Sequence, residues 1–217
     1  MKKIVVVGAY GKMGKIVSQK LCGEFEIIKV GRGDNLFEIC DANLIIDFAT
    51  AESSVLSAKF AVLKKIPLIV GSTGQSHKQM DFIVSCSKEI PVMIQPNFSV
   101  GICLMKRAIQ TILLQNIDDI AIFERHHKSK KDSPSGTALD LMSLIKKKFF
   151  GDVQVLCERG GNEVGTHVID FYFGDEKISI SHVAFSREGF ACGARLAVKF
   201  LIDKPNGLYN LEEVIKT

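Results

Sequence analysis

Ile4-Val5-Val6-Val7-Gly8-Ala9-Tyr10-Gly11-Lys12-Met13-Gly14 is a β-branched run that ends in three regularly spaced glycines. The run reads as a short buried strand of a parallel sheet. Ile16, Val17, Lys20 and Leu21 then begin a helix with one apolar side. Strand, glycine turn and helix in that order let the backbone approach a pyrophosphate closely, and the helix start offers free N–H donors. The spacing is G-x-x-G-x-x-G rather than G-x-G-x-x-G, so the context carries as much of the reading as the motif.

Working outward, Phe25 to Val30 reads as a second strand leading to Gly31-Arg32-Gly33. This is about 20 residues past the glycine turn, where a dinucleotide's ribose is read. No acid stands at Gly31 or Arg32, although Asp34 is near. Arg32 is suited to a 2′-phosphate, which favours NADPH. Further strands are expected at Ala42–Phe48, Ile66–Val70 and Ile90–Ile94, with helices at Glu52–Lys64 and Gln75–Lys88. Such alternation predicts an α/β, Rossmann-like parallel sheet covered on both faces. Ligands of such sheets lie beyond the carboxyl ends of the strands, so Ala49-Thr50, Gly71-Ser72-Thr73 and Pro96-Asn97 are expected around the cofactor.

The pattern changes after Ser99. A helix from about Val100 to Gln115, with Ile102, Met105, Ile109 and Ile112 at helical spacing, is followed by a strand at Ile120–Phe123 and a helix at Ala138–Phe149. A strand at Val153–Leu156 and an antiparallel hairpin, His167–Phe173 with Lys177–Val183, complete a second domain of α+β type. Phe190 to Ile202 reads as the final helix.

Between strand and helix lies Glu124-Arg125-His126-His127-Lys128-Ser129-Lys130-Lys131-Asp132-Ser133-Pro134-Ser135-Gly136-Thr137. Adjacent His126 and His127 point to opposite faces of an extended strand, a poor metal pair, so no metal is expected. A histidine here can act as an acid or orient a carboxylate. Ser135 or Ser133 can cap the helix, leaving Gly136 and Thr137 to present N–H groups and a hydroxyl to an anion. The fitting ligand is a small carboxylate or dicarboxylate.

Composition bounds the rest. The 217 residues are 47% hydrophobic and 24% charged, as in an ordinary globular protein. A net charge of +4 does not single out nucleic acid. The six cysteines form no CxxC pair, consistent with buried thiols in a reducing cytoplasm. Too few apolar residues follow Met1-Lys2-Lys3 for a signal, and no run is long enough for a membrane span.

Gly8-Ala9-Tyr10-Gly11-Lys12-Met13-Gly14, Gly71-Ser72-Thr73-Gly74, Asn97-Phe98-Ser99-Val100-Gly101 and above all Glu124-x-His126-His127-x-x-Lys130-x-Asp132-x-Pro134-Ser135-Gly136-Thr137-Ala138 resemble the dihydrodipicolinate (4-hydroxy-tetrahydrodipicolinate) reductase family across nearly the whole chain. The resemblance implies NADH- or NADPH-dependent reduction of 4-hydroxy-tetrahydrodipicolinate in diaminopimelate and lysine biosynthesis. By motif it implies His126 as general acid with Lys130 as its proton-donating partner. It also implies a substrate-carboxylate site at His127, Gly136 and Thr137. The cofactor is implied at Gly8, Ala9, Tyr10, Gly11, Lys12, Met13, Arg32, Gly71, Ser72, Thr73, Gln95, Pro96, Asn97 and Phe98. Residues 1–98 with 187–217 would form the dinucleotide-binding domain, and 99–186 the substrate-binding and oligomerisation domain of a homotetramer. The chain is short for the family between the second and third strands and around Arg159-Gly160-Gly161. Gly31 stands where NADH-using members carry an acid, and Ala49-Thr50-Ala51 departs from the usual end of the third strand. Two other readings are an inactive NAD(P)-binding regulatory module and another Rossmann oxidoreductase acting on an amino-acid-like carboxylate.

Overall fold

A computed structural model describes residues 1–215 and divides them into two compact units: Met1–Ser99 with the chain from Phe190 onward, and Val100–Gly189.

In the first unit, β1 (Lys3–Val7), β2 (Glu26–Val30), β3 (Leu44–Asp47), β4 (Leu68–Val70), β5 (Pro91–Ile94) and β10 (Gly207–Tyr209) form a parallel sheet in the order β10-β5-β4-β3-β1-β2. Ile4, Val5 and Val6 are wholly buried, so both faces of β1 are covered, as an unbroken β-branched run requires. One face packs Val5, Ile45, Leu68 and Val92 against Phe60 and Ala61 of α2 (Ala51–Lys64) and Ile83 of α3 (His77–Ser85). Asp47, at the end of β3, is buried as well. Its carboxylate accepts from Ala49 N–H (2.8 Å), Ser53 Oγ (2.7 Å) and Ser57 Oγ (2.6 Å), which fixes the turn into α2.

The chain does not end in the helix read at Phe190–Ile202. That helix, α6 (Glu188–Leu201), is followed by β10 and by α7 (Leu211–Ile215). β10 pairs with β5, Leu208 beside Val92, and becomes the edge strand. Three residues that begin at Gly207, just behind Pro205-Asn206, carry too little periodicity to be read as a strand.

In the second unit, β6 (Asp119–His126), β7 (Val153–Arg159), β8 (Gly165–Phe173) and β9 (Glu176–Ala184) form a mixed sheet in the order β7-β6-β8-β9, with β6–β7 parallel and the other pairs antiparallel. α4 (Val100–Ile112) and α5 (Gly136–Lys146) cover one face, with Ile102, Met105, Ile109, Leu141 and Ile145 packed on Ile120, Ile122, Ile169 and Phe171. β6 is longer than its apolar run. Alternate residues Ile120, Ile122, Glu124 and His126 are all buried, so the covered face turns from apolar to charged along one strand. No helix among the described residues is long and apolar enough to cross a membrane.

Candidate active site

The polar end of the β6 face is built by register. Ile122 lies beside Ile169 of β8, and two residues on Glu124 lies beside His167. On the other side Glu124 pairs with Cys157 and His126 with Arg159.

Glu124 is the centre of the cluster and is fully buried. Its Oε2 lies 2.5 Å from His126 Nδ1. Its Oε1 accepts from Arg159 Nη2 (2.6 Å) and from the backbone N–H of Ser135 (3.1 Å). Burial alone would raise this carboxyl, but the hydrogen bonds from Arg159, His126, Cys157 and Ser135 outweigh it and hold Glu124 at about 2. Burial lowers His126, against the opposing pull of Glu124. The His126 ring also meets His167 edge-on, with centroids 5.2 Å apart. It lies so close over Gly165 that a Cβ there would stand 2.8 Å from Nε2.

Of the two serines able to start α5, Ser135 is the cap: its Oγ accepts from Ala138 N–H at 3.2 Å. The same Oγ lies 3.2 Å from His167 Nε2. Burial, and next the neighbouring His126, push His167 down to about 4, so it is neutral at pH 7. Gly136, exposed, opens the helix, and Thr137 follows it. Helix starts of this kind favour anions.

His127 turns away from the covered face, and its Nδ1 lies 3.0 Å from Ser129 Oγ. Lys130 Nζ pairs with Asp132 at 2.8 Å, which lowers the Asp132 carboxyl. The loop backbone is anchored by His127 N–H to Glu163 O (2.8 Å) and Lys130 N–H to His127 O (3.1 Å). Arg159 Nη2 also reaches Asp132 O at 2.7 Å. Thus His126, His127, Lys130, Gly136 and Thr137 all belong to one strand end, one loop and one helix start. Arg159, His167 and Gly165 were not singled out as site residues by sequence reasoning, and Glu124 entered only as the first residue of the family motif. A signal existed for Glu124: it continues the even-numbered inward face of Ile120 and Ile122, where a carboxylate must find partners.

In the first unit, the predicted cofactor residues follow the carboxyl ends of β1, β2, β4 and β5. Gly8 has φ +73°, and a Cβ at Gly14 would stand 2.1 Å from Gly8 O, so the turn needs glycine at both places. Gly11 caps α1 (Lys12–Leu21) with no side chain over the helix start, leaving Lys12 and Met13 in the first turn. Ala9 is buried and offers only backbone, while Tyr10 is exposed. The Phe48 and Phe98 rings stand 5.6 Å apart, and a Cβ on Gly71 would strike both. Thr73 and Pro96 are exposed. Ser72 is turned inward, its Oγ 3.1 Å from Gln75 Nε2. The Gln95 side chain is held within the unit, its Nε2 donating to Asn97 O and its Oε1 accepting from Leu211 N–H at the start of α7, which leaves the Gln95 backbone at the end of β5. The Asn97 side chain accepts from Ser99 N–H at 2.9 Å. Arg32 is exposed beyond β2. Gly31 donates to Asp34 Oδ2 at 2.8 Å, and a Cβ at Gly31 would strike the Tyr10 ring at 2.6 Å. The bare helix start and its glycine cradle fit a dinucleotide's pyrophosphate.

Two family models match the chain: dihydrodipicolinate reductase, N-terminus, over residues 19–98, and dihydrodipicolinate reductase, C-terminus, over residues 101–215. Among curated proteins, the 4-hydroxy-tetrahydrodipicolinate reductase of Clostridium novyi (strain NT) is 33% identical over 252 residues, covering 100% of this chain and 99% of its own. The enzyme of the same name from Caldanaerobacter subterraneus subsp. tengcongensis is 34% identical with the same coverage. Among solved structures, a dipicolinate-bound dihydrodipicolinate reductase from Paenisporosarcina sp. TG-14 superposes with a TM-score of 0.82 at 17% identity, over 98% of this chain and 99% of that one. A myo-inositol dehydrogenase from Corynebacterium glutamicum gives 0.65 at 12% identity, over 100% and 93%. Both structural likenesses concern the fold.

Proposed function

This chain belongs to the dihydrodipicolinate reductase family, and on that premise we infer that it reduces 4-hydroxy-tetrahydrodipicolinate to tetrahydrodipicolinate, with loss of water, in diaminopimelate and lysine biosynthesis. The observation that carries the reading is the His126–Lys130 loop between a buried charged strand end and the Ser135-capped start of α5, a position that favours anions. Reduced NAD(P)H supplies the hydride. The departing hydroxyl needs one proton, and a positioned acid accelerates such a step by about 10²- to 10⁴-fold.

In this reading His126 is the general acid and Lys130 its proton-donating partner. His127 and the N–H groups and hydroxyl of Gly136 and Thr137 hold the carboxylates of the substrate. Support for a dicarboxylate comes from the charge of the loop and from the dipicolinate named with the Paenisporosarcina enzyme. The cofactor lies on the Gly8–Met13 turn, Gly71–Thr73 and Gln95–Phe98. NADPH is the preferred form, because Arg32 offers a cation to a 2′-phosphate and Gly31 carries no acidic side chain for a ribose hydroxyl. The enzyme works in the cytoplasm as a homotetramer joined through the sheet of its second unit. That sheet carries exposed Leu156, Ile178 and Val183.

The direct assay mixes the protein with NADPH and substrate made in situ and follows the absorbance of the reduced cofactor. Turnover is expected. Cofactor binding without substrate-dependent oxidation would refute the activity.

A further inference from the structure

Glu124 is placed to do more than fill the end of a strand. Ionised, it can only accept hydrogen bonds, and donors converge on it from three segments: His126 on its own strand, Arg159 and Cys157 on β7, and the Ser135 backbone at the start of α5. Because the carboxylate accepts, the hydrogen between it and His126 sits on Nδ1. Nε2 is then the nitrogen that exchanges a proton with a substrate.

The observed pose of the ring is favoured on both sides. A flip would set a carbon against Oε2 and forfeit a charge-assisted hydrogen bond. The Gly165 backbone lies under Nε2, and His167 meets the ring edge-on. The other carboxylate oxygen holds the backbone that leads into Gly136 and Thr137. Arg159 supplies the counter-charge and ties the cluster to the Asp132 carbonyl, next to the Lys130 ion pair. The charged and titratable groups facing His126 are therefore Glu124, Arg159, Lys130 and His167.

We propose that Glu124 is a positioning residue for the reduction: through Oε2 it fixes which imidazole nitrogen of His126 carries the exchangeable proton, and through Oε1 it aligns the helix start that receives the substrate, with Arg159 as its counter-charge. This rests on the reductase reading above and adds a second, separately measurable claim about the His126 tautomer.

The test uses the full-length protein, wild type and Glu124→Gln. In the wild type, ¹⁵N–¹H correlation spectra at pH 8 are expected to show neutral His126 protonated on Nδ1. In the variant the amide donates to Nδ1, so the proton moves to Nε2. The kcat is expected to fall about 10²- to 10⁴-fold, as when an orienting carboxylate is lost from a histidine, with the KM for NADPH within twofold. Wild-type His126 protonated on Nε2, or Glu124→Gln with wild-type kcat, would overturn the proposal. The wild-type spectrum decides it even if the variant fails to fold. Absence of wild-type turnover would sink the reductase reading alone, while the tautomer is read independently of it.

Discussion

Gly165→Ala is the smallest perturbation that reaches the chemistry without touching a charged group. Gly165 is not among the residues with positive φ, so alanine is tolerated by the backbone. What it meets is the His126 ring: the new Cβ would lie 2.8 Å from Nε2, 3.2 Å from Cδ2 and 3.6 Å from Cε1. Comfortable contact begins near 3.5 Å, so the imidazole must retreat by roughly 0.7 Å. The ring is held at its far side by Glu124 at 2.5 Å, and any tilt lengthens that bond. Displacements approaching 1 Å at a reacting group cost on the order of 10²-fold in rate. We expect kcat to fall about 10- to 100-fold. Overpacking of about 1–3 kcal/mol should lower Tm by roughly 3–10 °C. Gly189→Ala, whose Cβ would meet nothing within 4 Å, serves as the control. Steady-state NADPH oxidation and a thermal melt on the three proteins suffice. Gly165→Ala with wild-type kcat would show that the ring's position over β8 does not matter to the reaction.

His126→Gln and Lys130→Ala are each expected to cut turnover by roughly 10²-fold or more, and wild-type rates in both would remove their assigned roles. Arg32→Ala should weaken NADPH far more than NADH, as measured by titration; equal losses would argue against a 2′-phosphate contact. Acid should weaken the fold through two groups. His167 is depressed from 6.5 to about 4 and Glu124 from 4.5 to about 2, so their stabilisation is complete above the higher value of each pair and is lost as pH falls through the lower. Each is worth on the order of 3 kcal/mol. Tm should therefore decline from pH 7 to pH 4, and His167→Gln should flatten that decline; an unchanged slope in the variant would contradict the burial of a neutral His167.

The sheet of the first unit was legible because β1 announces itself twice, by an unbroken β-branched run and by glycines that the turn sterically requires. Boundaries were less so. The expected strand Ile66–Val70 pairs only over Leu68–Val70, whereas Ile120–Phe123 extends to His126 because Arg125 and His126 still find partners on the neighbouring strands. Apolar pattern marks where a strand is buried by carbon, not where its ladder ends. The charged cluster was half legible. His126, Lys130 and Ser135 lie together in the sequence, but Arg159 and His167 are 35 and 32 residues from their partners Glu124 and Ser135. Only the pairing of β6 with β7 and β8 brings them in, and no local spacing encodes that.

The two-residue beat of β6 has a consequence for how this chain can go wrong. Slipping the strand by one place against β8 would swing the isoleucines outward together with the glutamate and the histidine that follow them. Greasy surface and lost chemistry would arrive in the same event.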